Sequence, residues 1–433
     1  MLRLPNALQA FRRKASVRAV GAMAVSSALG QLAIFCTLPL LTRLYEPAAF
    51  GLHAMFMSFV GIASVGVCLC LDHRIVSTRD EAEADKVFAA ALMSVPVTAL
   101  ASATMLGILI TSDLLGYSRL PIWCVPLMAS MICLNGVYSA CRSRAVRQQD
   151  YALIAKTGLI QNLGRAIAPL IMFPLAPFWF GLTAAEFAGR MVGVRGLTRR
   201  VWHRRLGNGV WRHPSAWWAM VRLEYRFTAV LAGSVLVDAS ASQMISPLLV
   251  ATYGAQAAGE YFLAAMIVVG PSVLIGGGAA DVIHARGAEI FHRDPSELPR
   301  FARKSALMLL ALGLVIFGPV YLLAPHVLPL IFGVKWPHVV DAVRALTPFA
   351  VVGFVASPCS RLLASINRPM IKIIPDAVRL VGVPLTLYWS HGSGETFMQA
   401  MWNMSWFLAA AYGLYFALTY VAVLMSASKS ATA

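Results

Sequence analysis

Four charged residues interrupt stretches that are otherwise apolar: Arg165, Glu186, Asp238 and Arg379. A charge at the centre of a membrane helix costs about 2.5–3.5 kcal/mol on insertion scales, so it pairs with a neighbour or serves a ligand. Arginine suits an anion such as phosphate, because its planar guanidinium bonds the oxygens in pairs and never loses its charge. Arg165 and Arg379 are therefore candidates for holding an anionic headgroup in a water-filled cavity, with Arg344 a further candidate near the outer end of its helix. The competing reading is an internal pair, Arg165 with Glu186 or Asp238, that only locks helices together. Asp238 and Glu186 are the candidate ion-coupling carboxylates. A shielded carboxylate can gain and lose a proton near neutrality or coordinate sodium. Gln243, about one turn after Asp238, would share its face. Asp238 reads equally well as a structural helix–helix hydrogen bond. Arg43 and Tyr45 are placed at an outer rim, within reach of a sugar, a diphosphate or lipid headgroups. No metal or organic cofactor is expected, only H+ or Na+ as a coupling ion. Gly276, Gly277 and Gly278 lack the lysine and the strand of a phosphate-binding loop. Neither HExxH nor GxSxG occurs.

The elements that must position these residues are membrane helices. Of 433 residues, 59% are hydrophobic and 13% charged, against about 25% charged in soluble domains. Twelve spans of roughly twenty residues follow, at 19–41, 51–71, 87–110, 121–141, 153–174, 177–195, 227–251, 258–280, 304–324, 341–363, 371–390 and 400–425. The first is too long for a signal peptide's apolar core and is expected to stay. With the N-terminus in the cytoplasm, thirty Lys and Arg fall on the cytoplasmic side and three, Arg43, Arg119 and Lys335, on the other. Both termini are then cytoplasmic. The net charge of +17 becomes a topology signal and gives no reason to expect nucleic acid. The basic stretch between the sixth and seventh spans, with Trp202, Trp211, Trp217 and Trp218, reads as an interfacial linker, or as an anionic-lipid or partner site. Seven cysteines form no CxxC pair and read as small core residues.

Two segments resemble one another. At an offset of 208 residues, Pro39, Leu40, Leu41, Tyr45, Ala49 and Gly51 match Pro247, Leu248, Leu249, Tyr253, Ala257 and Gly259. Both segments leave an outward helix, pass a short loop and enter the returning helix. Pro126 and Pro348 correspond more weakly, near the starts of the fourth and tenth spans. An even half of six spans makes the repeat parallel, related by an axis along the membrane normal, with a substrate path between the halves. The expected fold is all-α and polytopic: about twelve transmembrane helices in two parallel six-helix bundles around a central cavity. The expected bounds are 1–195 and 227–433 for the bundles and 196–226 for the basic cytoplasmic linker.

"LPLLTRLYEPAAFGLHAMFMSFVGI" (38–62) resembles the first hairpin of polysaccharide-repeat (O-antigen type) flippases, in the multidrug/oligosaccharidyl-lipid/polysaccharide exporter superfamily. "YGAQAAGEYFLAAMIVVGPSVLIGGGAADVIHARGAEI" (253–290) is similar to that family's seventh-to-eighth helix region, with Pro271 in the helix. "LDHRIVSTRDEAEA" (71–84) is similar to its acidic loop, with Asp72 where an acid is usual, and "PFAVVGFVASPCSRLLASINRP" (348–369) to its tenth helix. Cys70 departs from the pattern, in which relatives often carry a basic residue there. The resemblance implies movement of an undecaprenyl-diphosphate-linked oligosaccharide across a bacterial inner membrane by alternating access. The implied partners are that lipid-linked oligosaccharide, membrane lipid and other polysaccharide-assembly proteins. Two alternatives stay open. One is a multidrug or cation antiporter of the same superfamily, which favours acidic residues in the cavity. The other is a membrane polysaccharide polymerase or glycosyltransferase, which needs an active-site loop or a soluble domain; the longest outer loop, about 324–341, holds few ionisable groups.

Overall fold

The computed structural model describes residues 6–78, 80–202, 214–333 and 335–431. Among them lie no strands and twelve helices of nineteen residues or more. The first six are α1 (Asn6–Leu44), α2 (Pro47–Val65), α4 (Glu81–Thr111), α5 (Cys124–Arg147), α6 (Tyr151–Met172) and α7 (Trp179–Trp202). The second six are α8 (Pro214–Gln243), α9 (Ile245–Arg293), α10 (Leu298–Phe332), α11 (Val339–Cys359), α13 (Ile373–Gly392) and α14 (Phe397–Ala431). Two short helices, α3 (Leu71–Ser77) and α12 (Leu362–Ser365), complete the set. Every expected span falls on this framework, with one boundary drawn differently. The seventh crossing is completed by the first residues of α9, and the chain turns at Gly254, where φ is 92° and ψ 170°. Glycine enters that region without a Cβ clash, so the turn needs no longer loop.

Eight stretches of the described residues are long and apolar enough to cross a membrane by length and composition alone. Helices α6, α7 and α13 are not among them; they carry Arg165, Glu186 and Arg190, and Asp376 and Arg379 respectively. Large apolar side chains face outward along the others: Val315 is 69% exposed and Leu330 79%. Water would penalise such a surface, whereas lipid tails match it. The protein is a multi-pass membrane protein.

The basic stretch expected as a linker is mostly helical. Helix α7 continues to Trp202, with Arg199 and Arg200 in its last turn, and α8 already begins at Pro214. Cations at a helix C-terminus interact favourably with its dipole, which supports this extension. Only 203–213, with Arg204, Arg205, Trp211 and Arg212, lie outside the described residues. The indole of Trp217 donates to Ser94 Oγ at 3.1 Å, tying the start of α8 to α4.

The described residues form two compact units. One comprises Met1–Leu44, Val60–Thr111 and Pro121–Gly233, the other Tyr45–Phe59, Ser112–Leu120 and Ser234–Ala433. In the first, α6 and α7 meet backbone to backbone. A Cβ on Gly189 would come within 2.5 Å of the Arg165 amide nitrogen and 2.7 Å of the Gly164 carbonyl carbon. In the second, the two repeat segments pack on each other. A Cβ on Gly51 would overlap the Ala255 carbonyl oxygen, and one on Gly259 would overlap that of Pro47. Both pairs are equivalent under the 208-residue offset, so the crossing is reciprocal, as a local two-fold axis requires.

Candidate functional site

Among the described residues, each unit holds a cluster of charged side chains that involves its expected fifth span. In the first unit, Arg165 on α6 points its Nε at Glu186 on α7, 2.7 and 2.8 Å from the two carboxylate oxygens. One turn along α7, Arg190 Nε donates to Glu186 Oε1 at 2.8 Å. The remaining reach of both arginines goes to amides. Arg165 Nη1 donates to Asn162 Oδ1 at 3.3 Å, and Arg190 Nη1 to Asn135 Oδ1 at 2.8 Å. Asn135 donates in turn to Ser64 Oγ at 2.8 Å. The glycine contact between α6 and α7 makes this possible, since bulkier residues at 164 and 189 would hold the two helices too far apart. Two cations face one anion here, and the Arg165 side chain is 33% exposed. Among the described residues the cluster therefore sets two cations against one anion, and a guanidinium bonds phosphate or carboxylate oxygens in pairs.

In the second unit, Arg379 on α13 lies one turn from Asp376, to which its Nη1 donates at 3.1 Å. Its Nη2 donates to Ser242 Oγ on α8 at 2.8 Å, and its guanidinium lies over the Tyr412 ring, 4.8 Å from the centroid. Asp238 on α8 accepts from Lys372 Nζ at 2.7 Å and stands 3.6 Å from Arg379. Two acids therefore balance two bases. The Arg379 side chain is only 5% exposed, with its Nε buried and unpartnered.

Several sequence expectations change here. Arg165 pairs with Glu186, one of the two partners weighed for it. Asp238 pairs with Lys372, a lysine that sequence counting assigns to the cytoplasmic surface. Gln243 is exposed, and its neighbour Ser242 makes the hydrogen bond instead. Tyr45 is 0% exposed and sets its ring edge-on to Phe50 at 6.4 Å, so it belongs to the core of the hairpin rather than to a rim. Burial pushes its hydroxyl pKa up to about 12. Arg43, at the end of α1, is exposed. Arg344 lies over the Tyr321 ring, 4.8 Å from its centroid, with its Nε buried and without a hydrogen bond.

One arrangement escapes sequence reading altogether. Arg144 on α5 is buried and pairs with Glu81 at 2.7 Å and with Asp85. Arg147 pairs with the same Glu81 at 2.9 Å and caps the carbonyls of Ile75, Thr78 and Asp80. The available signal was spacing: Glu81 and Asp85 are one turn apart on α4, and Arg144 and Arg147 are three residues apart on α5. Asp72 is fixed by Ser139 Oγ at 2.7 Å, and Arg74 pairs with Glu224 at 3.0 Å. Cys70 is buried in a left-handed turn, with φ at 57°, which suits a structural role.

Solved structures of multidrug/oligosaccharidyl-lipid/polysaccharide (MOP) superfamily transporters share this fold. The lipid II flippase MurJ in an inward closed conformation is similar with a TM-score of 0.70 at 12% identity, over 92% of this chain and 86% of that one. An inward-facing multidrug resistance MATE family transporter gives 0.63 at 13% identity, over 94% and 96%. A MOP superfamily transporter from Pyrococcus furiosus, noted for a binding pocket of reversed polarity, gives 0.61 at 15%, over 95% and 96%. No curated protein matches the sequence. The chain belongs to the polysaccharide biosynthesis protein family, whose model matches residues 40–341.

Proposed function

We propose that this protein is a flippase that carries an undecaprenyl-diphosphate-linked oligosaccharide from the inner to the outer leaflet of a bacterial inner membrane. It acts by binding and reorientation, without enzymatic bond cleavage. The observation that carries this reading is the excess positive charge of the Arg165–Glu186–Arg190 cluster, in a chain of the polysaccharide biosynthesis family. A diphosphate carries two or more negative charges, and two arginines sharing one carboxylate can hand donors to it without leaving a bare buried charge. Arg165 and Arg190 take the diphosphate in this scheme. Arg43 and Arg344 are secondary contacts along the path, and Arg379 is an internal strut. The bundles at 1–195 and 227–433 alternate access to the two sides, with both termini cytoplasmic.

The experiment is complementation of a strain lacking its own flippase, scored by surface polysaccharide at matched membrane levels of each variant. Arg165→Ala lowers surface polysaccharide roughly tenfold or more, and Arg165→Lys restores part of it by returning the charge without the planar fork. Full polysaccharide from Arg165→Ala combined with Arg190→Ala refutes the assignment. Reporter fusions check the orientation: residue 207 reads cytoplasmic and residue 115 periplasmic.

A further inference from the structure

Three carboxylates in the expected spans, Glu186, Asp238 and Asp376, each pair with an arginine or a lysine. Glu260 is different. It is 0% exposed on α9, and neither of its oxygens makes a hydrogen bond. It follows Gly259 directly, at the reciprocal crossing where that glycine meets the Pro47 carbonyl and Gly51 meets the Ala255 carbonyl. Aromatic rings flank the spot. Phe50, next to Gly51, packs edge-on against Trp336 at 5.2 Å and lies 6.3 Å from Phe262. Burying an ionised carboxylate in such surroundings without a hydrogen-bond partner is costly.

The polar surroundings are sparse. Gln256, one turn earlier on α9, and His338, which opens α11, stand beside Glu260 without closing a bond of normal geometry to it. On α2, His53 packs its ring against Phe262. Arg119 lies by Gly254, six residues before Glu260, rather than at the carboxyl.

We propose that Glu260 is a proton-binding site that couples protonation to the closure of this crossing. With the Gly51–Gly259 contact made, the carboxyl keeps its proton. When the crossing parts, water reaches Glu260, its O–H bond breaks heterolytically, and the proton passes to that water. Re-closure requires a proton to be taken back. The proposal rests on the transporter reading, because it assigns the ion-coupling role to this carboxylate instead of Asp238 or Glu186.

Hydrogen–deuterium exchange of the full-length protein in lipid vesicles tests it without any substrate. Peptides covering residues 45–60 and 252–264 are compared at about pH 5.5 and about pH 8.5, a range that spans the titration of a shielded carboxyl, after correction for intrinsic exchange rates. In the wild-type protein, exchange rises roughly tenfold or more at the higher pH, as the crossing opens locally. Glu260→Gln, neutral at every pH and nearly the same shape, stays protected at both. His338→Gln keeps the response. A pH response that survives Glu260→Gln, or its absence from the wild-type protein, overturns the proposal, as does a response lost only in His338→Gln. Should Glu260→Gln fail to insert, Glu260→Ala is read in the same way. Failure here leaves the complementation result with Arg165 untouched, so the two ideas fail separately.

Discussion

The two charged clusters each join the fifth helix of a half to another helix, α6 to α7 in one and α13 to α8 in the other, yet they are built on opposite principles. In the first unit, Arg165 and Arg190 share Glu186, and the partners that fill the remaining positions are uncharged amides. In the second, Asp238, Lys372, Asp376 and Arg379 close a balanced set, and a tyrosine ring and a serine take up the rest of the arginine. The fifth helix of each half thus carries an arginine, a third exposed in one and enclosed in the other. Net charge and exposure separate a site that can receive an anion from one that holds helices together. The residue type alone does not.

The largest effect comes from removing the single acid of the first cluster. Glu186→Gln leaves two arginines facing each other and lowers stability by about 3 kcal/mol, because breaking a buried pair strands a charge. Asp376→Asn costs less, about 1–2 kcal/mol, since Arg379 still has Asp238 at 3.6 Å and Ser242 at 2.8 Å. Chemical denaturation of each variant in detergent gives the ranking, and equal losses would erase the contrast between the clusters. The helix contacts beneath them give a second, smaller difference. Gly189→Ala costs about 2 kcal/mol, because the new methyl meets backbone on α6, which cannot step aside. Gly382→Ala meets only the ring of Phe407, which can rotate away, so its cost is about 1 kcal/mol. A reversed order in thermal melting would show that α13 and α14 are the more rigidly packed pair. The smallest effect sharpens the structural reading of Asp238. Asp238→Asn strands Lys372 and costs about 1 kcal/mol, discounted because both side chains are partly exposed, and adding Lys372→Met returns most of it. If the double variant is no more stable than the single one, the pair does not act as a unit.

Much of this architecture is legible in the chain itself. Apolar runs of about twenty residues mark the crossings because a bilayer admits little else. The 208-residue echo marks equivalent hairpins, and charges inside apolar helices stand out because lipid makes them costly. These signals depend on composition along a single element, which is why Arg165, Glu186, Asp238 and Arg379 could be singled out one by one. Spatial pairing does not have that property. Lys372 looked like one more surface lysine, and Arg144 one more topology charge, until α13 met α8 and α5 met α4. Tyr45 looked exposed because it lies in a loop, and the crossing of two repeats buried it. Glu260 drew no notice at all, since a glutamate near a helix end is unremarkable in sequence.

Sequence alone determined that this is a multi-pass, all-helical membrane protein with an internal parallel repeat, because each of those properties is written in the order of polar and apolar residues. Only the tertiary structure decided which charges are neutralised and which are spare. Burial and hydrogen-bond partners are set by which helices meet, and they leave Arg165 a third exposed, enclose Arg379, and bury Glu260 without a hydrogen bond.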